Sequence, residues 1–525
     1  MRHDDSRRDL LSLELTKALV AYRLERMQTG FSGERRRLLL ISYRQLAAAL
    51  CCGLALRLYF VARFPFYAGD TKFYEELAQN WSYHGVYGLF IRGELIPVDL
   101  RVPGYPAFLV GVYRMFGHTR IAVMLAQAGI DLVTCVIAAL IAARIAPVSK
   151  KSKAATIALW MAVLCPFTAS YTAAVLTETL AAFFTTLALY VLVRAAARCP
   201  LDPSRTALDG GAAWKQSGVF MLAGIITGLG TLVRPETPLV LAAAALVICV
   251  RWHRTADWKK LALASLWMAV GLLAVLSPWA ARNARTMGRI EFLAPHYAES
   301  AGDYIPRGFY AWTRTWMVRY RDAYDITWAL GKRPIELSAF PAAAFDSDAE
   351  RARVANWLAS YNSNLKMTPS LDIRFRALAR ERTAEHPVRT FAFIPIERAF
   401  VIWFTPRVDV LRYSGNLWPV DEERRANQME FDVTLFFGFL NFAYAGLAIA
   451  GAWRYRTNPG CALIAVYLVI RTALFTQLPT VEPRYMVVCF PAIAALGALA
   501  FVKSSHPVSV ECIEQSAAAN AANIG

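Results

Sequence analysis

Six charged residues stand at the edges of long apolar runs in this chain: Asp70, Arg101, Glu178, Arg234, Arg282 and Arg484. Asp70 lies in the stretch 66–106, FYAGDTKFYEELAQNWSYHGVYGLFIRGELIPVDLRVPGYP, which is punctuated by Gly and Pro and closed by Arg101-Val-Pro-Gly-Tyr-Pro. A charged loop wedged between apolar segments is costly to keep unless it lines a site. A carboxylate is suited to taking a proton from a reacting hydroxyl, and a guanidinium to gripping phosphate through paired hydrogen bonds. Asp70 is the expected chemical centre. Asp70 and Glu178 on one face could also hold a divalent cation, although neither spacing nor ligand count establishes one.

Each residue has a plainer role open to it. Asp70 can cap a short helix whose Phe73, Leu77 and Trp81 form an apolar face lying on the membrane. That role is compatible with catalysis, because a helix N-terminus keeps a carboxylate ionised. Glu75 and Glu76 read as solvated positions on the same helix. Glu178 can be a first-turn acid favoured by the helix dipole. Any single arginine can be an interfacial anchor, but four of them beside two carboxylates are harder to read that way. The run Phe309-Tyr-Ala-Trp312, with Trp316, could stack on sugar faces or form an interfacial belt.

A membrane must position these groups. Of 525 residues, 56% are hydrophobic and 18% charged, and the apolar ones fall in long blocks, which marks a polytopic membrane protein. The net charge of +18 gathers in short loops and at the N-terminus, where topology accounts for it better than a nucleic-acid partner. There is no P-loop or Gly-rich dinucleotide turn. Most of the nine cysteines lie in apolar blocks without a zinc-type spacing, and they read as small buried hydrophobes.

Hydropathy predicts spans at about 46–64, 119–145, 154–168, 173–193, 218–233, 237–250, 261–280, 431–453, 458–478 and 485–503. The segment 1–45, with Arg35-Arg36-Arg37, lacks a signal-peptide core and reads as cytosolic, as does the tail 504–525. With both ends inside, the basic loops 144–153, 194–215, 251–260 and 453–457 share the inner face. Asp70, the Thr177-Glu178 turn and Glu482-Pro-Arg484 then share the outer one. Between 282 and 430 the composition is that of a globular domain. There Ser347-Asp-Ala-Glu350 is a capping box, Thr368-Pro369 starts a second helix stopped by His386-Pro387, and the aromatic 390–404 lies at the interface. The expected fold is an all-α membrane protein of about ten transmembrane helices with an extracytoplasmic mixed domain. Its parts are a transmembrane module 46–281 carrying the outer loop 66–106, the domain 282–430, and C-terminal helices 431–503.

Several motifs, in this order, resemble the polytopic GT-C glycosyltransferases, in particular the bacterial branch related to protein O-mannosyltransferases and lipid A aminoarabinose transferases. They are Asp70 with Tyr74, Gly85 and Arg101-Val-Pro-Gly-Tyr105-Pro; Leu176-Thr177-Glu178; and Thr231-Leu-Val-Arg234-Pro235. Ser277-Pro278-Trp279-Ala-Ala-Arg282-Asn283 and Glu482-Pro-Arg484-Tyr485 with Pro491 complete the set. The chain departs from the aminoarabinose branch at Phe73, where Arg is usual. The resemblance implies inverting transfer of a hexose or pentose from a polyprenyl-phosphate donor to a hydroxyl of a glycan, lipid or protein, at the outer face of a bacterial inner membrane. It implies Asp70 as the base, Glu178 as a second outer-loop acid and Arg101 on the lipid phosphate. Tyr74, Tyr105, Arg234, Arg282, Glu482 and Arg484 are then substrate-binding residues. A divalent metal at Asp70 and Glu178 is the one candidate cofactor. The rival class is a polytopic transporter or lipid flippase, which predicts ionisable residues near the bilayer midplane and an inverted repeat, whereas the charges above lie at outer ends.

Overall fold

Apolar runs satisfy their backbone in a membrane by closing hydrogen bonds within themselves, and helices are what form here. The computed structural model describes residues 40–198, 210–253, 258–294 and 304–503. The basic run Arg35–Arg37, most of the loop 199–217 and the tail 504–525 lie outside the described residues. In chain order the first part folds as α1 (Tyr43–Arg63), α2 (Gly69–His84), strands β1 (Gly88–Ile91) and β2 (Glu94–Pro97), α3 (Gly104–Phe116), α4 (Arg120–Ile145), α5 (Lys151–Val163) and α6 (Pro166–Tyr171). Next come α7 (Glu178–Arg198), α8 (Gly210–Thr231), α9 (Leu239–His253) and α10 (Trp258–Met287). The outer segment holds α11 (Arg307–Thr313), α12 (Asp348–Asn362), α13 (Pro369–Glu385) and α14 (Ile394–Phe404). The chain closes with α15 (Gln428–Arg454), α16 (Pro459–Thr476) and α17 (Phe490–Leu499).

Six of these, α1, α4, α7, α10, α15 and α16, are long and apolar enough to cross a bilayer. Shorter apolar helices, Ser217–Thr231, Leu239–Val250 and Pro483–Leu499, stand where three further spans were expected. The span expected at 154–168 is instead α5, a break, and the short α6. Pro166 explains the break: it disfavours helix at the residue before it, and Cys165 is extended at ψ 110°. The expected ten spans therefore stand as six long helices, three short ones and a broken one. Within the bundle, α4 packs against α1, α5, α7 and α17. Cys135, Cys165, Cys461 and Cys489 are buried as expected, but Cys51, Cys52 and Cys249 are exposed on their helices.

The stretch 66–106 is more ordered than a loop. After α2, Gly85 takes a left-handed conformation (φ 69°) and ends the helix. A hairpin follows, with Gly88 opposite Pro97 and Ile91 opposite Glu94. Its turn, Arg92-Gly93, has positive φ at both residues (55° and 87°), the arrangement that matches strand twist. Leu77 and Phe73 do not lie on the membrane surface: they pack with Tyr87, Leu89, Val98, Leu100 and Trp279. Trp81 alone of that face stays exposed. Glu75 is not solvated either. It is buried and held bidentately by Arg120 (2.6 Å to each oxygen), with the Tyr113 hydroxyl donating at 3.4 Å.

The outer segment carries no strand among its described residues, so the expected mixed domain is helical. Its core corrects both readings of the aromatic run. Phe309, Trp312 and Trp316 are buried against Phe340, Phe345 and Phe375, with ring centroids 5.0–6.5 Å apart. They neither face a sugar nor ring the membrane. The expected caps form: Ser347 accepts from Glu350 N–H (3.1 Å) and Thr368 from Leu371 N–H (3.3 Å). Glu350, however, reaches the Asp346 N–H (2.9 Å) and the buried Arg382 (2.6 Å), so the reciprocal half of the box is absent.

Candidate active site

Backbone contacts lace the site's segments together. Phe66 N–H donates to the Ala173 carbonyl (2.9 Å) and Val175 N–H to the Phe66 carbonyl (3.4 Å). The Thr71 hydroxyl donates to the Val175 carbonyl and accepts from Ala68 N–H, both at 3.1 Å. These bonds tie the start of α2 to the segment leading into α7, whose first residue is Glu178. Ala68 is the cap, so Asp70 is the second residue of α2 and its carboxylate is not spent on capping. At the other end of the stretch, Gly104 N–H donates to the Leu232 carbonyl (2.6 Å). A Cβ at Gly104 would stand 2.5 Å from that oxygen, so glycine is what lets the Arg101 segment meet the turn carrying Arg234. Tyr171, Ala174 and Leu176 pack with Val487, bringing in the turn Pro483–Cys489.

Four acids and four arginines meet there. Asp70 accepts from Arg101 on Oδ1 and from Arg484 on Oδ2, each at 3.2 Å. Arg484 also pairs closely with Glu482 and lies 4.0 Å from Glu178 Oε1. Glu178 Oε1 accepts from Arg234 (2.9 Å), whose Nε reaches Glu236 (2.6 Å). Glu236 in turn accepts from Arg471 (3.2 Å). The network runs from buried to open. Arg471 and Glu178 are at most 2% exposed as side chains, whereas Asp70, Arg101 and Arg484 are 20–28% exposed. The mouth is therefore one carboxylate between two guanidinium groups. Both of its contacts, at 3.2 Å, are longer than the 2.7–2.9 Å usual for charge-assisted bonds, and together with their exposure this makes the mouth the most exchangeable part of the network.

Burial alone would push the Asp70 carboxyl up; Arg484 and then Arg101 outweigh it and hold it below its ordinary value. Glu236 is likewise held down, by Arg234 and Arg471 against burial. Tyr74 goes the other way: burial, with the Asp70 charge added, raises its phenol to about 12. Asp70 is thus an ionised carboxylate, and Tyr74 a neutral hydroxyl beside it. The Arg101 guanidinium sits 5.7 Å over the Phe73 ring, so Phe73 supports the arginine of a neighbouring segment.

Of the residues singled out in the sequence, Asp70, Glu178, Arg101, Arg234, Glu482 and Arg484 come together in this network. Tyr74 packs edge-on against Tyr105 (centroids 5.0 Å apart). Tyr105 itself is fully buried, and its hydroxyl is taken by Gln127 Oε1 (2.9 Å), whose amide holds the Thr172 and Ala174 carbonyls. Arg282 forms no ion pair among the described residues. It donates to the Tyr87 and Val98 carbonyls (2.7 and 2.8 Å) and so clasps both ends of the hairpin. Two members were missed. Glu236 lies in the short gap between the expected spans 218–233 and 237–250, and Arg471 lies inside the expected span 458–478, where any charge is a signal. A second signal of that kind is the pair Arg57–Asp131, buried between α1 and α4. Not all ionisable residues lie at outer ends.

A divalent cation does not fit the carboxylates as they stand. Both Asp70 oxygens and Glu178 Oε1 face guanidinium groups, and only Glu178 Oε2, buried and without a hydrogen-bond partner, is left over. Among the described residues the one cluster of three metal-type side chains is Asp346, Glu385 and His386, all exposed. There Asp346 is already held by Arg389 through both oxygens (2.7 Å each).

The fold and site define an all-α, multi-pass membrane protein with a charged centre where span ends meet. No family model and no curated protein matches the sequence. Among solved structures the chain is similar in helical architecture to an archaeal oligosaccharyltransferase and to ArnT. One is the archaeal oligosaccharyltransferase AglB from Archaeoglobus fulgidus in complex with an inhibitory peptide and a dolichol-phosphate. There the TM-score is 0.45 and the identity 14%, over 87% of this chain and 49% of that one. An Archaeoglobus fulgidus oligosaccharyltransferase in complex with Zn and sulfate gives a TM-score of 0.43 at 13% identity, over 86% and 48%. ArnT from Cupriavidus metallidurans bound to undecaprenyl phosphate gives 0.37 at 14%, over 87% and 77%. The chain spans about half the length of the archaeal enzyme. At such identities and TM-scores the likeness extends to helical architecture and no further.

Proposed function

We propose that this protein transfers a sugar from a polyprenyl-phosphate-linked donor to an acceptor hydroxyl at the extracytoplasmic membrane face, with inversion at the anomeric carbon. The observation that carries the reading is the mouth of the network: a partly exposed, ionised carboxylate between two convergent arginines from separate elements. The donor phosphate takes Arg101 and Arg484, which are suited to a bidentate anion. Asp70, released from them, accepts the proton of the acceptor hydroxyl. That oxygen forms its bond to the anomeric carbon as the carbon–phosphate oxygen bond breaks, and the electron pair leaves on the phosphate. General-base help of this kind contributes about 10²–10⁴-fold, and arginines fixed in place stabilise the departing charge without reorganisation. Glu178 and Glu482 hold Arg234 and Arg484 in register behind them. The acceptor is a hydroxyl of a glycan, lipid or protein, and the sugar a hexose or pentose.

The same reading assigns the inner face to the basic loops, with both termini cytosolic, in a bacterial inner membrane. The same reading puts the domain 282–430 on the outer face. Its α14 is assigned to the interface, with Ile396 and Phe400 exposed and Arg398 anchored on the Met317, Thr476 and Leu478 carbonyls. The test is transfer of a labelled lipid-linked sugar by the purified protein with Asp70→Asn alongside. Loss of transfer in a folded variant is the expected result; transfer at the parental rate refutes the mechanism.

A further inference from the structure

Arg471 and Glu236 lie behind the site and touch none of its open surface, yet they join its two arms. Arg471 is buried within α16, about 8 Å from that helix's end at 1.5 Å per residue. Its guanidinium holds the Tyr485 carbonyl from Nε (3.2 Å) and Nη2 (2.8 Å), with Nη2 also on Glu236 Oε1 (3.2 Å). The first pair of contacts fixes the backbone next to Arg484, whose guanidinium meets Asp70. The second runs through Glu236 to Arg234 Nε (2.6 Å) and on to Glu178 (2.9 Å). Tyr485 closes the frame. Its hydroxyl donates to Glu482 (2.8 Å), its ring stacks on Phe475 (4.7 Å), and Arg234 lies 5.3 Å over it.

We infer that Arg471, with Glu236, is a positioning residue of the sugar-transfer site, setting Arg484 against Asp70 and Arg234 against Glu178 at the same time. The inference rests on the reaction proposed above. A buried charge in a span is retained only where its partners are fixed, and these partners are the supports of the two carboxylates. A lysine keeps the charge but is shorter and loses the Nε contact and the planar fork, so its freely rotating ammonium holds the Tyr485 carbonyl and Glu236 less rigidly. A displacement of about 1 Å at a reacting group costs roughly 10²-fold in rate.

The experiment compares Arg471→Lys and Glu236→Gln with the parent and with Asp70→Asn, all purified and matched for folded fraction. It measures kcat, KM for the lipid-linked donor, and the acid limb of kcat/KM against pH. Asp70 is faced by Arg101, Arg484 and Tyr74, so a loosened Arg484 moves that limb to higher pH. Arg471→Lys is expected to lower kcat by about 10²-fold, with a smaller change in KM and the limb shifted upwards; Glu236→Gln follows in the same direction. A purely structural role lowers the folded fraction and leaves the limb in place. If Asp70→Asn is inactive while Arg471→Lys keeps parental kcat and pH profile, the inference is overturned alone. If Asp70→Asn transfers at the parental rate, the reaction it rests on is overturned and the inference with it.

Discussion

The buried pair Arg57–Asp131 gives the sharpest test of what the spans are for. Asp131 lies about 16 Å along α4 by helical rise, deep enough for the pair to serve an ion path in a transporter. Its contacts argue for a clamp instead. Arg57 Nε (2.9 Å) and Nη2 reach Asp131 Oδ2, Nη1 donates to the Gly53 (2.8 Å) and Val163 (2.9 Å) carbonyls, and Nη2 also meets Cys135 Sγ (3.3 Å). One guanidinium thus binds α1, α4 and the end of α5. Asp131→Ala leaves Nε with no partner and Nη2 with only a thiol. Two charged hydrogen bonds at about 1.5–3 kcal/mol each agree with the roughly 3–5 kcal/mol lost when a buried pair is broken. Replacing both residues by apolar ones of similar volume, Arg57→Met with Asp131→Leu, removes the stranded charge and should recover most of that loss. Unfolding in detergent micelles, followed by denaturant titration, measures the stability, and transfer of labelled sugar measures function. The reasoning fails if the single variant costs under about 1 kcal/mol, well below the range for a buried pair. It fails equally if the double variant is stable but loses transfer, which would make the pair part of the working machinery.

Three further outcomes are expected. Arg101→Ala should weaken donor binding, measured with polyprenyl phosphate alone, by about 10-fold or more, the worth of one charge-assisted hydrogen bond; unchanged affinity returns Arg101 to the class of interfacial anchors. Arg484 and Arg101 hold the Asp70 carboxyl below its ordinary value against burial, so in the free enzyme it stays ionised to lower pH than an unpaired aspartate. The acid limb of kcat/KM should therefore lie below the ordinary aspartate value, and the limb of kcat at higher pH than that of kcat/KM, since bound phosphate has drawn the arginines away. Coincident limbs would mean that the donor leaves those pairs intact. Exhaustive chelation should leave turnover unchanged, because Glu178 Oε1 stays committed to Arg234 and Asp70 alone is too few ligands for a divalent cation; loss of activity restored by a divalent cation would overturn that.

The membrane segments and the local helix signals were legible without a structure. A long apolar run has few alternatives to a helix in lipid, and Ser347 and Thr368 cap their helices through bonds only three residues long. Asp70, Glu178, Arg101, Arg234 and Arg484 were legible as well, because a charge at a span's edge is conspicuous in one dimension. Their partners were not: Asp70 meets Arg484 across 414 residues, and Arg471 meets Glu236 across 235. Neither local propensity nor hydropathy constrains such pairs. The same limit explains Glu75, which looks solvated on its helix until Arg120 folds over it, and Trp312, which looks interfacial until Phe375 and Phe340 cover it. The sequence by itself determined which segments are helical, where the bilayer can lie and which charges are unusual. Tertiary structure alone decided which charges neutralise one another and which stay open, because burial and ion pairing depend on what the rest of the chain brings alongside, and here that is the lacing of Phe66 to Ala173 and of Gly104 to Leu232.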